Sequence, residues 1–324
     1  MSRSSSCSRP RPRGWRVASA RFCAREGRRI ACIRPPFSIS QITTLASTFA
    51  ADVAAYADAG VDGIGIWEIK LSPGGDAEAL AQLKASGLGS ASAVPAVPSI
   101  LPLPLMEGPA EPAARIDAIC ASIHRLAPFE PGAVVCLTGP GDDRDIVVDG
   151  LRTIADEAAR AGVRIGLEPI NRVGGEDWTM ISSLAEAAEL LDDADRPALG
   201  IQFDSWHLWN TPELVDQIGR YADRFVGVHI ADWGGGTRSW CDRVLPGDGV
   251  ARLPEILGAL DRAGWDGFYD LEIFSDNGTF GNAWPDSLWD VPLPELVRRG
   301  QDSFERVWDA RNRTTLDQVS PGAV

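Results

Sequence analysis

The chain has 324 residues, 44% of them hydrophobic and 23% charged, which suffices for one large α/β domain or two ordinary ones. No apolar run approaches the ~20 residues of a membrane helix, so no membrane association is expected. An excess of 45 acidic over 31 basic residues, net −14, opposes a surface built for nucleic acid. The six cysteines show no CxxC pair or other metal-ligand spacing, so they read as reduced thiols of a cytoplasmic protein.

Residues 1–36 differ from the rest, with ten arginines against one acid, Glu26. Rich in Ser, Arg and Pro and without periodicity, they are expected to form a disordered extension ahead of the fold.

From Phe37 onward, short apolar runs alternate with stretches of helical period. Phe37-Ser38-Ile39 reads as the first strand. Leu45, Phe49, Val53 and Tyr56 stripe a helix ending at Ala59-Gly60. Gly63 to Trp67 is the second strand, Asp76 to Ser86 a helix, and Ser92 to Val94 the third strand. Ile116 to Leu126, Val147 to Ala158, Leu184 to Leu191, Pro212 to Ile218 and Leu253 to Ala263 read as helices. Strands at Ala133–Leu137, Arg164–Leu167, Leu199–Phe203, Phe225–Val228 and Phe268–Leu271 alternate with them, and Leu296 to Trp308 closes the series. Eight strand–helix units in about 275 residues predict a single-domain (β/α)8 TIM barrel over 37–310, followed by a flexible tail over 311–324. Ala-Gly before a strand at 59–60, 161–162 and 263–264 suggests a shared helix end with Gly near the cap. There is no GxGxxG or GxxxxGK[ST], so no dinucleotide or nucleoside triphosphate is expected.

The reactive centre of such a barrel lies at the carboxyl ends of its strands. Four consecutive strands end there at Glu168, Asp204, His229 and Glu272. Three converging carboxylates repel unless a cation joins them. Three carboxylates and an imidazole suit Mn2+ first, with Co2+ or Mg2+ as alternatives, better than a structural zinc.

Other candidates surround this set. His207, in Asp204-Ser205-Trp206-His207, is expected to bond a substrate oxygen rather than a second metal, and His124 to lie on a helix surface. Trp206, Trp209, Trp233 and Trp240, with Trp67 and Glu68 at the second strand's end, offer faces and a carboxylate to a sugar or cyclic polyol. Arg243 is held by the rigid turn Val244-Leu245-Pro246-Gly247-Asp248-Gly249, while Arg238 and Arg172 lie in loops.

These motifs resemble the sugar isomerase/epimerase branch of the xylose-isomerase-like TIM barrels. The likeness runs from about Phe37 to Trp308 and is carried by Gly166-Leu167-Glu168-Pro169, Asp204-Ser205-Trp206-His207, Val228-His229-Ile230-Ala231-Asp232, Arg243-x-x-Pro246-Gly247-x-Gly249 and Asp270-Leu271-Glu272. It implies that Glu168, Asp204, His229 and Glu272 bind one divalent ion. It also implies that Glu168 and Glu272 form the acid/base pair and that His207 and Arg243 touch substrate. Members of this branch include ketose 3-epimerases, hydroxypyruvate and inosose isomerases, and dehydratases. The DNA-repair branch of the fold needs extra metal histidines, which the second and third strands here do not supply.

The expected reaction is proton transfer beside a carbonyl of a ketose or keto-polyol, through a metal-stabilised enediolate. A lyase on the same platform, an inosose-type dehydratase or cleavage of a 3-keto-glycoside, is the alternative. A non-catalytic sugar-binding barrel is a weaker competitor. Some relatives act as dimers or hetero-complexes, so a homo-oligomer is compatible with this reading.

Overall fold

The computed structural model describes residues 34–104, 108–172 and 178–312. The expected extension and tail lie outside the described residues, apart from 34–36 and 311–312.

Eight parallel strands close into a barrel. They are β1 (Phe37–Ser40), β2 (Gly63–Trp67), β3 (Gly89–Val94), β4 (Val134–Cys136), β5 (Ile165–Leu167), β6 (Leu199–Asp204), β7 (Phe225–Ile230) and β10 (Tyr269–Leu271). Around the barrel they run β1-β10-β7-β6-β5-β4-β3-β2, with the chain's last strand beside its first. A two-stranded antiparallel hairpin, β8 (Asp232–Trp233) with β9 (Arg243–Val244), stands apart from the barrel sheet.

Nine α-helices are described: α1 (Phe49–Ala59), α2 (Asp76–Ser86), α3 (Pro112–Leu126), α4 (Arg144–Ala161), α5 (Leu184–Ala194), α6 (Ser205–Leu208), α7 (Leu214–Tyr221), α8 (Leu253–Arg262) and α9 (Leu293–Ala310). Two of them start later than the periodicity suggests. Leu45 is outside α1, because Thr48 caps that helix by accepting a bond from the Ala51 N–H at 3.2 Å. α7 begins at Leu214 rather than Pro212, after Glu213 at φ 53°. Gly60, Gly162 and Gly264 all adopt positive φ at helix ends, as the repeated Ala-Gly suggested.

The main core lies between the strands and the helices. Strand residues Ile39, Ile64, Ile66, Ile165 and Ile201 are buried in one cluster with Val53, Ile119, Ile154, Leu190, Leu257 and Phe304 from the helices. Each such side chain contributes about 1.5–3 kcal/mol on burial. Alternate strand positions are small or polar, including Ser38, Ser40, Ser92, Gln202 and Asp270, all buried. The barrel is thus apolar outside and polar within, which makes room for ionisable groups along its axis.

Candidate active site

Strand register places the rim residues side by side. Asp204 pairs with His229 across β6 and β7, and His229 pairs with Asp270 across β7 and β10. Glu168 directly follows β5, and Glu272 directly follows β10. All four candidate ligands are buried, and one donor atom from each lies within 4.8 Å of the others. His229 Nδ1 sits between two carboxylates, 3.2 Å from Glu168 Oε1 and 3.3 Å from Glu272 Oε2. Arg243 Nη1 donates to Asp204 Oδ2 at 2.8 Å and to Glu272 Oε2 at 3.2 Å.

Burial and charge act differently on each group. Burial pushes Glu168 up to about 7, with His229 offsetting only part of that. Burial acts upward on Glu272 too, but His229 and Arg243 outweigh it and hold that carboxyl low. Asp204 likewise stays low against burial, through Arg243, His207 and His229. Burial alone would lower His229, yet Glu272 and Glu168 raise it well above the ordinary imidazole value. His207 responds mainly to burial, which pushes it down to about 4 and keeps it neutral at pH 7.

This donor set fits a divalent cation. With His229 neutral, as a ligand must be, three carboxylates face one guanidinium and two negative charges remain. A doubly positive ion balances them in a site that water cannot screen.

A family model for the xylose isomerase-like TIM barrel matches residues 53–307. The chain belongs to that family. Within it, the chain is 29% identical to a 3-dehydroshikimate dehydratase of Pseudomonas putida over 143 residues, covering 41% of this chain and 21% of that protein. It is 26% identical to a ketose 3-epimerase of Arthrobacter globiformis over 145 residues, covering 41% of this chain and 46% of that protein. The matched stretches thus span half or less of these curated relatives' length. Among solved structures, the IOLI protein with a bound zinc atom superposes with a TM-score of 0.67 at 19% identity, covering 84% of this chain and 97% of that one. At that identity the likeness shows the fold.

The other predicted residues of this xylose isomerase-like barrel fall into two groups. His207 and Arg243 adjoin the cluster: His207 Nε2 lies 3.3 Å from Arg243 Nη2, and the Asn171 N–H reaches His207 Nδ1 at 3.3 Å. Trp206, only 1% exposed, packs edge-on to His207 and lies 4.8 Å beneath the Arg243 guanidinium. It therefore supports those two side chains instead of presenting the open sugar platform expected of it.

Trp67 and Glu68 are tied into the wall of the barrel mouth. Trp67 Nε1 donates to Ser40 Oγ at 2.9 Å. Glu68 accepts from the Ala96 N–H at 2.8 Å and pairs with Arg125 at 3.2 Å. Arg238 is committed to Asp242 and Asp286, Arg172 bonds Ser182 and Met180, and exposed His124 pairs with Glu157 on the helix surface. Trp209 and Trp206 both stack on Trp233, while Trp240 joins Trp178 and Phe274.

Asn171 and Asp270 were not singled out from the sequence. For Asp270 the signal was present: in Asp270-Leu271-Glu272 the two acids are two residues apart on a strand and so share a face. Arg243 Nε and Trp206 Nε1, both buried, have no hydrogen-bond partner among the described residues, leaving two donors beside the cluster.

Proposed function

We propose that the protein is a divalent-metal-dependent isomerase or epimerase of a ketose or keto-polyol. The observation that carries this reading is the convergence of one ligand atom each from Glu168, Asp204, His229 and Glu272 into one buried cluster. Three oxygen donors and one nitrogen suit Mn2+, with Co2+ or Mg2+ as alternatives. Held there, the ion supplies Lewis acidity to the oxygens of the reacting carbons.

The chain's own residues supply the rest. Glu168 and Glu272 flank the reacting region and act as the acid/base pair, one taking the proton beside the carbonyl and the other returning one. In the metal-free protein burial pushes Glu168 up to about 7, while His229 and Arg243 hold Glu272 low, so the two carboxylates are not equivalent. Arg243 and neutral His207 orient substrate oxygens, and Asp204 fixes the Arg243 fork through their 2.8 Å contact. Deep burial excludes water and strengthens each of these contacts.

A dehydratase on the same residues is the second reading, favoured by the likeness to 3-dehydroshikimate dehydratase. There the same proton removal is followed by loss of a β-hydroxyl.

The test is incubation of Mn2+-loaded protein in D2O with ketohexoses, keto-inositols and 3-keto-glycosides, followed by NMR. Deuterium entering beside the carbonyl with formation of an epimer or isomer supports the first reading. Loss of water or aglycone supports the lyase, and the absence of exchange across the panel contradicts both.

A further inference from the structure

His229 must present a lone pair at Nδ1, the nitrogen turned toward Glu168 and Glu272, if it is to bind a cation. A neutral imidazole does so only when its proton sits on Nε2, and that proton needs an acceptor. Behind the ring, His229 Nε2 lies 3.4 Å from Ser92 Oγ, and Ser92 donates its hydroxyl to Asp270 Oδ2 at 2.7 Å. Ser38 donates to the other oxygen, Asp270 Oδ1, at 2.9 Å. Asp270 Oδ2 itself is 3.8 Å from Nε2. The four groups come from β1, β3, β7 and β10 and are buried inside the barrel.

The direction of this chain of bonds matters. A serine hydroxyl can donate to an imidazole nitrogen or accept from it, so Ser92 alone does not choose a tautomer. A carboxylate only accepts. By accepting the hydrogen bond of the Ser92 hydroxyl, Asp270 leaves Ser92 as the acceptor for Nε2–H and so turns the Nδ1 lone pair toward the rim. The backbone accommodates this carboxylate: a Cβ at position 65 would lie 2.3 Å from Asp270 Oδ2, so Gly65 provides its space.

The geometry points to Asp270 as a positioning residue that acts through Ser92 to fix the His229 tautomer and so sets the affinity of the cation site. This inference rests on the cation-site reading above and adds a residue outside the four ligands. Metal-ligating histidines generally need such an oxygen partner, and its loss typically costs 10–100-fold in affinity.

The test is calorimetric titration of metal-stripped protein with Co2+, with the visible absorption of bound Co2+ as a second readout. Asp270→Asn keeps the shape, but its amide can donate to Ser92 and reverse the chain. It should bind Co2+ about 10–100-fold more weakly, with an altered spectrum and an unfolding midpoint near that of the parent. Should that variant not fold, Ser92→Ala, which removes the acceptor, decides by the same two readouts. Parental affinity in whichever variant decides overturns the inference. If the parent itself binds no Co2+, the cation-site reading fails and takes this inference with it.

Discussion

Arg243 Nη1 donates to Asp204 Oδ2 at 2.8 Å, joining the β8–β9 hairpin to the end of β6. The guanidinium packs on two aromatic rings, 4.8 Å from Trp206 and 4.7 Å from Phe274, so its fork is oriented before any substrate arrives. Lysine can supply the charge without the fork or the stacking. Arg243→Lys should therefore lower kcat/KM by about 10–100-fold, equivalent to about 1.4–2.7 kcal/mol. Steady-state kinetics on the substrate found by deuterium exchange measures this, and an unchanged kcat/KM would remove Arg243 from substrate binding.

Glu168→Gln and Glu272→Gln test the proton-transfer roles. Each should cut exchange by at least about 100-fold, the usual contribution of a positioned acid or base. Burial disfavours the charge of Glu168, so Glu168→Gln should not lower the melting temperature of the metal-free protein, whereas Glu272→Gln removes the partner of His229 and Arg243 and should lower it. Retained exchange in either variant assigns the proton transfer elsewhere.

Protons and metal should compete. Glu168 is pushed up to about 7 by burial and His229 is raised by its two carboxylate neighbours, so near neutrality both hold protons that a cation must displace. Metal affinity should then rise with pH through about 7, with protons released on binding. In the metal-free protein both groups have folded pKa values above their unfolded ones, so the native state binds more protons than the unfolded state does. Its stability should accordingly fall as pH rises through this range. Calorimetry in buffers of differing ionisation enthalpy counts the released protons, and urea unfolding between pH 6 and 8 follows the stability. A metal affinity independent of pH would contradict the competition.

Gly65→Ala adds only a methyl group, but that carbon would sit 2.3 Å from Asp270 Oδ2 and 3.0 Å from Ser40 Cα. Overpacking of this kind costs about 1–3 kcal/mol. Urea unfolding should show that loss, and a neutral result would mean that the barrel interior yields more easily than its packing implies.

Much of this site is legible in the sequence because its candidate ligands lie at the ends of short apolar strands that are easily located. Glu168, Asp204 and Glu272 sit at such boundaries and His229 one residue inside its strand, and the barrel brings them to one rim. The parts that escaped depend on distant partners. Asp270 takes its role from Ser92 and Ser38, which are 178 and 232 residues away. Glu68 lies beside the mouth as expected, but Arg125, 57 residues further along on α3, claims its carboxylate. The aromatic residue Trp206 was recognisable, but its burial under Arg243 follows from the β8–β9 hairpin, two strands of two residues each and too short to leave a period. The four-residue helix α6 is equally short, and Leu45 fits the stripe of α1 although Thr48 caps the helix after it.

The central claim is that a divalent ion binds among the four rim residues, and anomalous diffraction at the manganese edge from crystals soaked in Mn2+ tests it most directly. The account predicts one strong peak per chain within about 2.0–2.4 Å of His229 Nδ1 and of carboxylate oxygens from Glu168, Asp204 and Glu272. A peak at a different place, or a cluster with no peak at saturating Mn2+, would contradict it.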